Sequence, residues 1–72
     1  MSNQPTPSQR LLRFFDYAHL PANLQVISKP IHDLAHEMDE KIPDSAEKTV
    51  GLRKLLEAKD CLVRALLESE NP

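Results

Sequence analysis

GLRKLLEAKDCLVRALLESE, residues 51–70, carries the longest run of helical apolar spacing in the chain. Wound at about 3.6 residues per turn, it gathers Leu52, Leu55, Leu56, Leu62, Val63, Leu66 and Leu67 into one apolar sector, with Lys59 in its middle. A second arc carries Arg53, Glu57, Asp60 and Arg64, and its spacing predicts Arg53–Glu57 and Asp60–Arg64 pairs along the helix. A third arc holds only the small residues Ala58, Cys61 and Ala65. This helix has more low-polarity surface than one partner helix can cover. The pattern therefore predicts an all-α helical hairpin that associates with copies of itself.

Reading back from that helix, KIPDS over residues 41–45 is a turn, because the residue before Pro43 is pushed out of the helical region. Asp44, with Glu47 three residues on, has capping-box spacing and predicts a second long helix over 45–69. Gly51 inside that helix costs about 1 kcal/mol relative to alanine, which predicts a close backbone approach there. The first long helix is expected over 22–41, started by Pro21, with Leu24, Ile27, Ile31, Leu34, Ala35, Met38 and Ile42 as a narrow stripe. Pro30 removes one N–H, but it points away from the stripe. A kinked continuous helix is expected, with two short helices as the alternative.

Residues 10–17, RLLRFFDY, read as a short helix that needs something to pack on. They contain the only three aromatic side chains, Phe14, Phe15 and Tyr17, and so suggest a docking segment or a pocket wall. Residues 1–9, MSNQPTPSQ, are polar and contain two prolines; they read as a disordered arm, with Ser8 placed to cap the short helix. The hairpin domain is accordingly taken as residues 10–70.

Composition narrows the function classes. A chain of 72 residues leans on disulfides, metals or oligomerisation for stability. With one cysteine, Cys61, an intrachain disulfide and a zinc-finger cluster are both excluded, and association remains. Nine basic and eleven acidic residues are interspersed, giving a net charge of −2 and no footprint for a long DNA or RNA backbone. Without a membrane-length apolar run or a hydrophobic signal core, a soluble intracellular protein is expected.

Four constellations carry chemistry. His32 and His36 lie i,i+4 on one face with Asp33 beside the first, a spacing superficially like that of zinc proteases; no third ligand is assured, and two solvated histidines are the plain reading. Lys59 must snorkel, pair with Asp33 or Glu37 across the hairpin, or face a bound anion. Arg53 and Arg64 form either a solvated stripe or, where the helix meets its symmetry mates, a phosphate-binding convergence. Tyr17, His19 and Lys29 bracket the start of the first long helix: the ring could stack on a nucleobase near phosphate-binding groups, or simply pack with Phe14 and Phe15. Cys61, among small residues, is expected to be a packed side chain and not a nucleophile.

Tyr17-Ala18-His19-Leu20-Pro21, an amphipathic helix, Ile42-Pro43 with Glu47, and LRKLLEAKDCLVRALLE over 52–68 together resemble the small phage helical-hairpin proteins that act as sponges for cyclic oligonucleotides, the anti-CBASS type 2 and anti-Thoeris hairpin domain. The resemblance spans residues 15–68. It implies two long antiparallel helices with a short N-terminal helix, interlocked into a compact homo-oligomer, commonly a hexamer. It implies no enzyme activity and no cofactor, but capture of cyclic dinucleotides and cyclic trinucleotides in the cytoplasm of an infected bacterial host. The positions similar to the family's ligand-binding groups are Tyr17 and Lys29 for a dinucleotide between protomers and Arg64 for a trinucleotide on a threefold axis, with His19 a neighbour. The alternative is a hairpin protein-interaction module with no nucleotide ligand.

Overall fold

The computed structural model describes Gln4 and residues 6–70, which hold helix and no strand. Helix α1 spans Pro7–Leu12 and runs into a 3-10 turn over Arg13–Phe15; α2 spans Ala22–Lys41 and α3 spans Ala46–Glu70. Asn23 at the start of α2 donates to Glu70 at the end of α3 at 2.8 Å, while Lys48 at the start of α3 reaches Ile42 just past the end of α2 at 3.0 Å. The two long helices are therefore antiparallel. The short helix and its 3-10 turn pack against both.

Helix α1 starts earlier than the polarity of its sequence suggests. Thr6 Oγ1 accepts from the Gln9 backbone N–H at 3.2 Å, and Gln9 Oε1 accepts from the Thr6 N–H at 2.9 Å, a reciprocal capping box with Pro7 at the first helical position. The expected disordered arm thus ends sooner than residue 9, and Met1–Asn3 and Pro5 lie outside the described residues. Ser8 is not the cap: it is buried, and its hydroxyl donates to Asp44 at 3.4 Å.

Helix α2 runs unbroken through Pro30, so the two-helix alternative falls. The carbonyl that loses its donor there belongs to Val26, a residue 71% exposed, where water can take the missing place. At the start of α3 the cap is Ser45 and not Asp44: Ser45 Oγ accepts from the Lys48 N–H at 3.0 Å. Asp44 is taken instead by the Lys48 ammonium at 2.7 Å.

Leu11, Leu12, Phe15, Ala35 and Leu52 form the core, closed by Ile31, Met38, Leu55 and Leu56. The core sits where α1 crosses the hairpin, so only part of each apolar stripe is covered. Leu34, Ile42, Leu62 and Leu67 keep 40–51% of their surface exposed. Gly51 also departs from expectation: nothing lies within 4 Å of where its Cβ would be, so no close approach explains it.

Surface charges re-pair as well. Lys54 takes Glu57 at 4.0 Å, Asp60 pairs with Lys59 at 3.2 Å, and the Arg64 guanidinium donates to Cys61 Sγ at 3.4 Å; the expected Arg53–Glu57 and Asp60–Arg64 pairs give way. Exposed pairs are worth so little that neighbouring geometries compete on even terms. Cys61 itself is exposed and not packed. No helix among the described residues is long and apolar enough to cross a membrane.

Candidate ligand site

The segment from Tyr17 to Pro21 is a tight turn feeding a helix. The Leu20 N–H donates to the Tyr17 carbonyl at 2.9 Å, and the Leu24 and Gln25 N–H groups donate to the Pro21 carbonyl at 3.0 and 3.2 Å. Gln25 Nε2 closes the corner by donating to the Leu20 carbonyl at 2.8 Å. This fixed reversal lays Tyr17 back along α2. Its ring meets His32 edge-on, with centroids 4.9 Å apart and planes at 75°.

Along α2, residues 29, 32, 33 and 36 share one face by their 3 and 4 spacings. The Lys29 ammonium stands 5.9 Å from the Tyr17 ring centroid and 2.9 Å from Asp33 Oδ2. His32 Nδ1 lies 3.0 Å from Asp33 Oδ1, and the His32 ring tilts against His36 with centroids 4.3 Å apart. The hydrogen bond from Lys29 to Asp33, with the attraction between their charges, holds the ammonium pKa above its ordinary value. Hydrogen bonds accepted from His32 and then Lys29 hold the Asp33 carboxyl below its own. Lys29 and Asp33 are half exposed, so this charge pair is open to an incoming anion.

Of the residues expected to bind ligand, Tyr17 and Lys29 are brought together. His19 is exposed in the turn beside them. Arg64 is exposed on α3, where its hydrogen bond goes to Cys61. The ring partner of Tyr17 is His32 and not the phenylalanines, because Phe15 is fully buried in the core and Phe14 lies under the Arg13 guanidinium at 5.1 Å. Nor are the two histidines solvated: His32 is 23% exposed, and His36 Nε2 is buried without a hydrogen-bond partner among the described residues. Sequence reasoning groups His32 and Asp33 with His36, and does not join them to Tyr17 and Lys29. The signal that could have found them is their 3 and 4 spacing from Lys29. Among the described residues, no group of three or more His, Cys, Asp or Glu is gathered for a metal ion.

Lys59 takes none of its expected carboxylate partners across the hairpin. Its ammonium donates to the Phe14 carbonyl at 3.0 Å, which pins the end of the 3-10 turn to α3. Elsewhere, Leu34, Met38, Ile42, Lys48, Gly51, Leu52 and Leu55 line an open groove of about 320 Å³ between α2 and α3.

A half-buried phenol ring beside an ammonium and an imidazole suits a ligand that joins an aromatic base to an anionic group. Comparison of the chain with protein-family models, with curated proteins and with solved structures finds no match.

Proposed function

We propose that this chain is a non-catalytic sponge that binds and sequesters cyclic di- and trinucleotide second messengers, and so blocks CBASS-type immunity in the cytoplasm of an infected bacterium. The observation that carries the reading is the placement of the Lys29 ammonium 5.9 Å from the Tyr17 ring, at a fixed turn on an exposed helix face. A base stacks on the ring while a phosphate oxygen takes the ammonium. A cyclic ligand is already conformationally restricted, so little ordering entropy opposes its capture.

Assembly as a homo-oligomer, a hexamer in this reading, is supported by the leucines left uncovered on both long helices. Around a threefold axis, copies of Arg64 would converge on the phosphates of a trinucleotide. A second reading, a protein-interaction module, is favoured by the apolar groove between α2 and α3; under it no nucleotide binds.

Binding titrations of two variants test the proposal. Tyr17→Ala should weaken a cyclic dinucleotide by roughly 5- to 150-fold, the worth of about 1–3 kcal/mol of base stacking, with the oligomer unchanged. Arg64→Ala should weaken a cyclic trinucleotide more than a dinucleotide. Unchanged affinity in Tyr17→Ala removes that residue from the site.

A further inference from the structure

Asp33 uses both of its carboxylate oxygens at once. One accepts from the Lys29 ammonium at 2.9 Å, and the other lies 3.0 Å from His32 Nδ1. The space between the ammonium and the imidazole is therefore already filled by an anion, and that anion belongs to the chain. An exposed i,i+4 pair adds little to helix stability, so folding does not require this arrangement. The Tyr17 ring lies against the same two groups, 4.9 Å from the His32 ring and 5.9 Å from the ammonium.

The geometry points to Asp33 as an internal anion that holds the place of a ligand phosphate between Lys29 and His32, so that a phosphate ester of an aromatic base binds by exchanging with it. This rests on the nucleotide reading for the kind of ligand, and it adds His32 and Asp33 to the site. Asp33 is thus a specificity-determining residue. A ligand carboxylate replaces like with like and gains nothing, whereas a phosphate brings more charge and more acceptor oxygens to the same two groups. Once displaced, Asp33 stays within a few ångströms of the bound phosphate and repels it, which keeps affinity below what the Lys29 ammonium and the His32 ring alone allow.

The test uses the full-length protein and its Asp33→Asn variant, with AMP and cyclic di-AMP as probes and helix content by circular dichroism as the check on folding. Asp33→Asn should bind AMP about tenfold more tightly than the wild type at low salt, with the gain shrinking as salt is raised. Asp33→Glu should restore the weaker binding, and Lys29→Ala should abolish the gain. In the wild type, AMP should move the Asp33 carboxyl and His32 ring resonances together. AMP affinity equal or weaker in Asp33→Asn, or no AMP binding by that variant, overturns the inference. Equal cyclic di-AMP affinity in wild type and variant also overturns it while leaving the sponge reading intact. Tighter AMP binding with no cyclic di-AMP bound by either protein upholds the role of Asp33 and removes the sponge.

Discussion

Lys48 is buried, and Ser8 and Ser28 are the other buried polar residues among those described. Its ammonium donates to the carbonyls of Asp39 and Ile42 at 3.3 and 3.0 Å and to Asp44 at 2.7 Å, and it lies 2.9 Å from the Asp39 carboxylate. It thereby satisfies carbonyls left over at the end of α2, where a cation is favoured. The hydrogen bonds that Lys48 donates to Asp44 and Asp39 raise its pKa, and the bond that Asp39 accepts from Lys48, with a further one from Ser8, lowers that of Asp39 against the opposing pull of burial. A lowered carboxyl pKa means stability that is present above about pH 4 and lost as pH falls through the folded value. A raised lysine pKa means stability that is present below about pH 10 and lost as pH rises through the folded value. The melting temperature should therefore hold level from roughly pH 5 to 9 and fall below about pH 4, and Asp39→Asn should flatten that acid limb. An unchanged acid limb in the variant would show that Asp39 is not its source. Lys48 and Lys59 both sit on the leucine stripe of α3, and the sequence does mark Lys59 as anomalous. What it hides is the partner: each lysine ends on a backbone carbonyl at the end of another element, and such carbonyls exist only once that element has stopped.

The long helices are the most legible elements. Their apolar spacing and the proline turn place α2 at Ala22–Lys41 and α3 within one residue of Ala46–Glu70. The start of α1 is equally written in Thr6-Pro7-Ser8-Gln9, but the polar composition of the segment masks its capping-box spacing. Which stripe residues are buried is not legible, because that depends on where a six-residue helix crosses the hairpin. Gly51 gives the sharpest test at this scale. With nothing within 4 Å of its Cβ position, Gly51→Ala meets no obstacle inside this chain and should stabilise α3 by about 0.5–1 kcal/mol in urea unfolding. A loss of stability would instead place another molecule against Gly51, in the groove it lines.

Among the described residues, five buried apolar side chains are a small core for the 25 residues of α3 to rest on, and the uncovered leucines continue beyond it. The proposed assembly should appear in sedimentation as a multiple of 8.2 kDa, with a melting temperature that rises with protein concentration. A particle of 8.2 kDa at every concentration would contradict it. The part of the candidate site legible in the sequence is the Tyr-x-His-x-Pro turn and Lys29; the meeting of Tyr17 with His32 is not, since it depends on the angle at which the turn returns the chain. Sequestration is measured most directly by thermal unfolding with a panel of cyclic di- and trinucleotides, with chromatography of the released ligand afterwards. At a hundred times Kd a captured ligand stabilises the fold by about 2.7 kcal/mol, a rise of roughly 10–20 °C for a domain of this size. The expected result is such a rise for a subset of the panel, with those ligands recovered intact; no rise with any member, or recovery of linear products, would contradict sequestration.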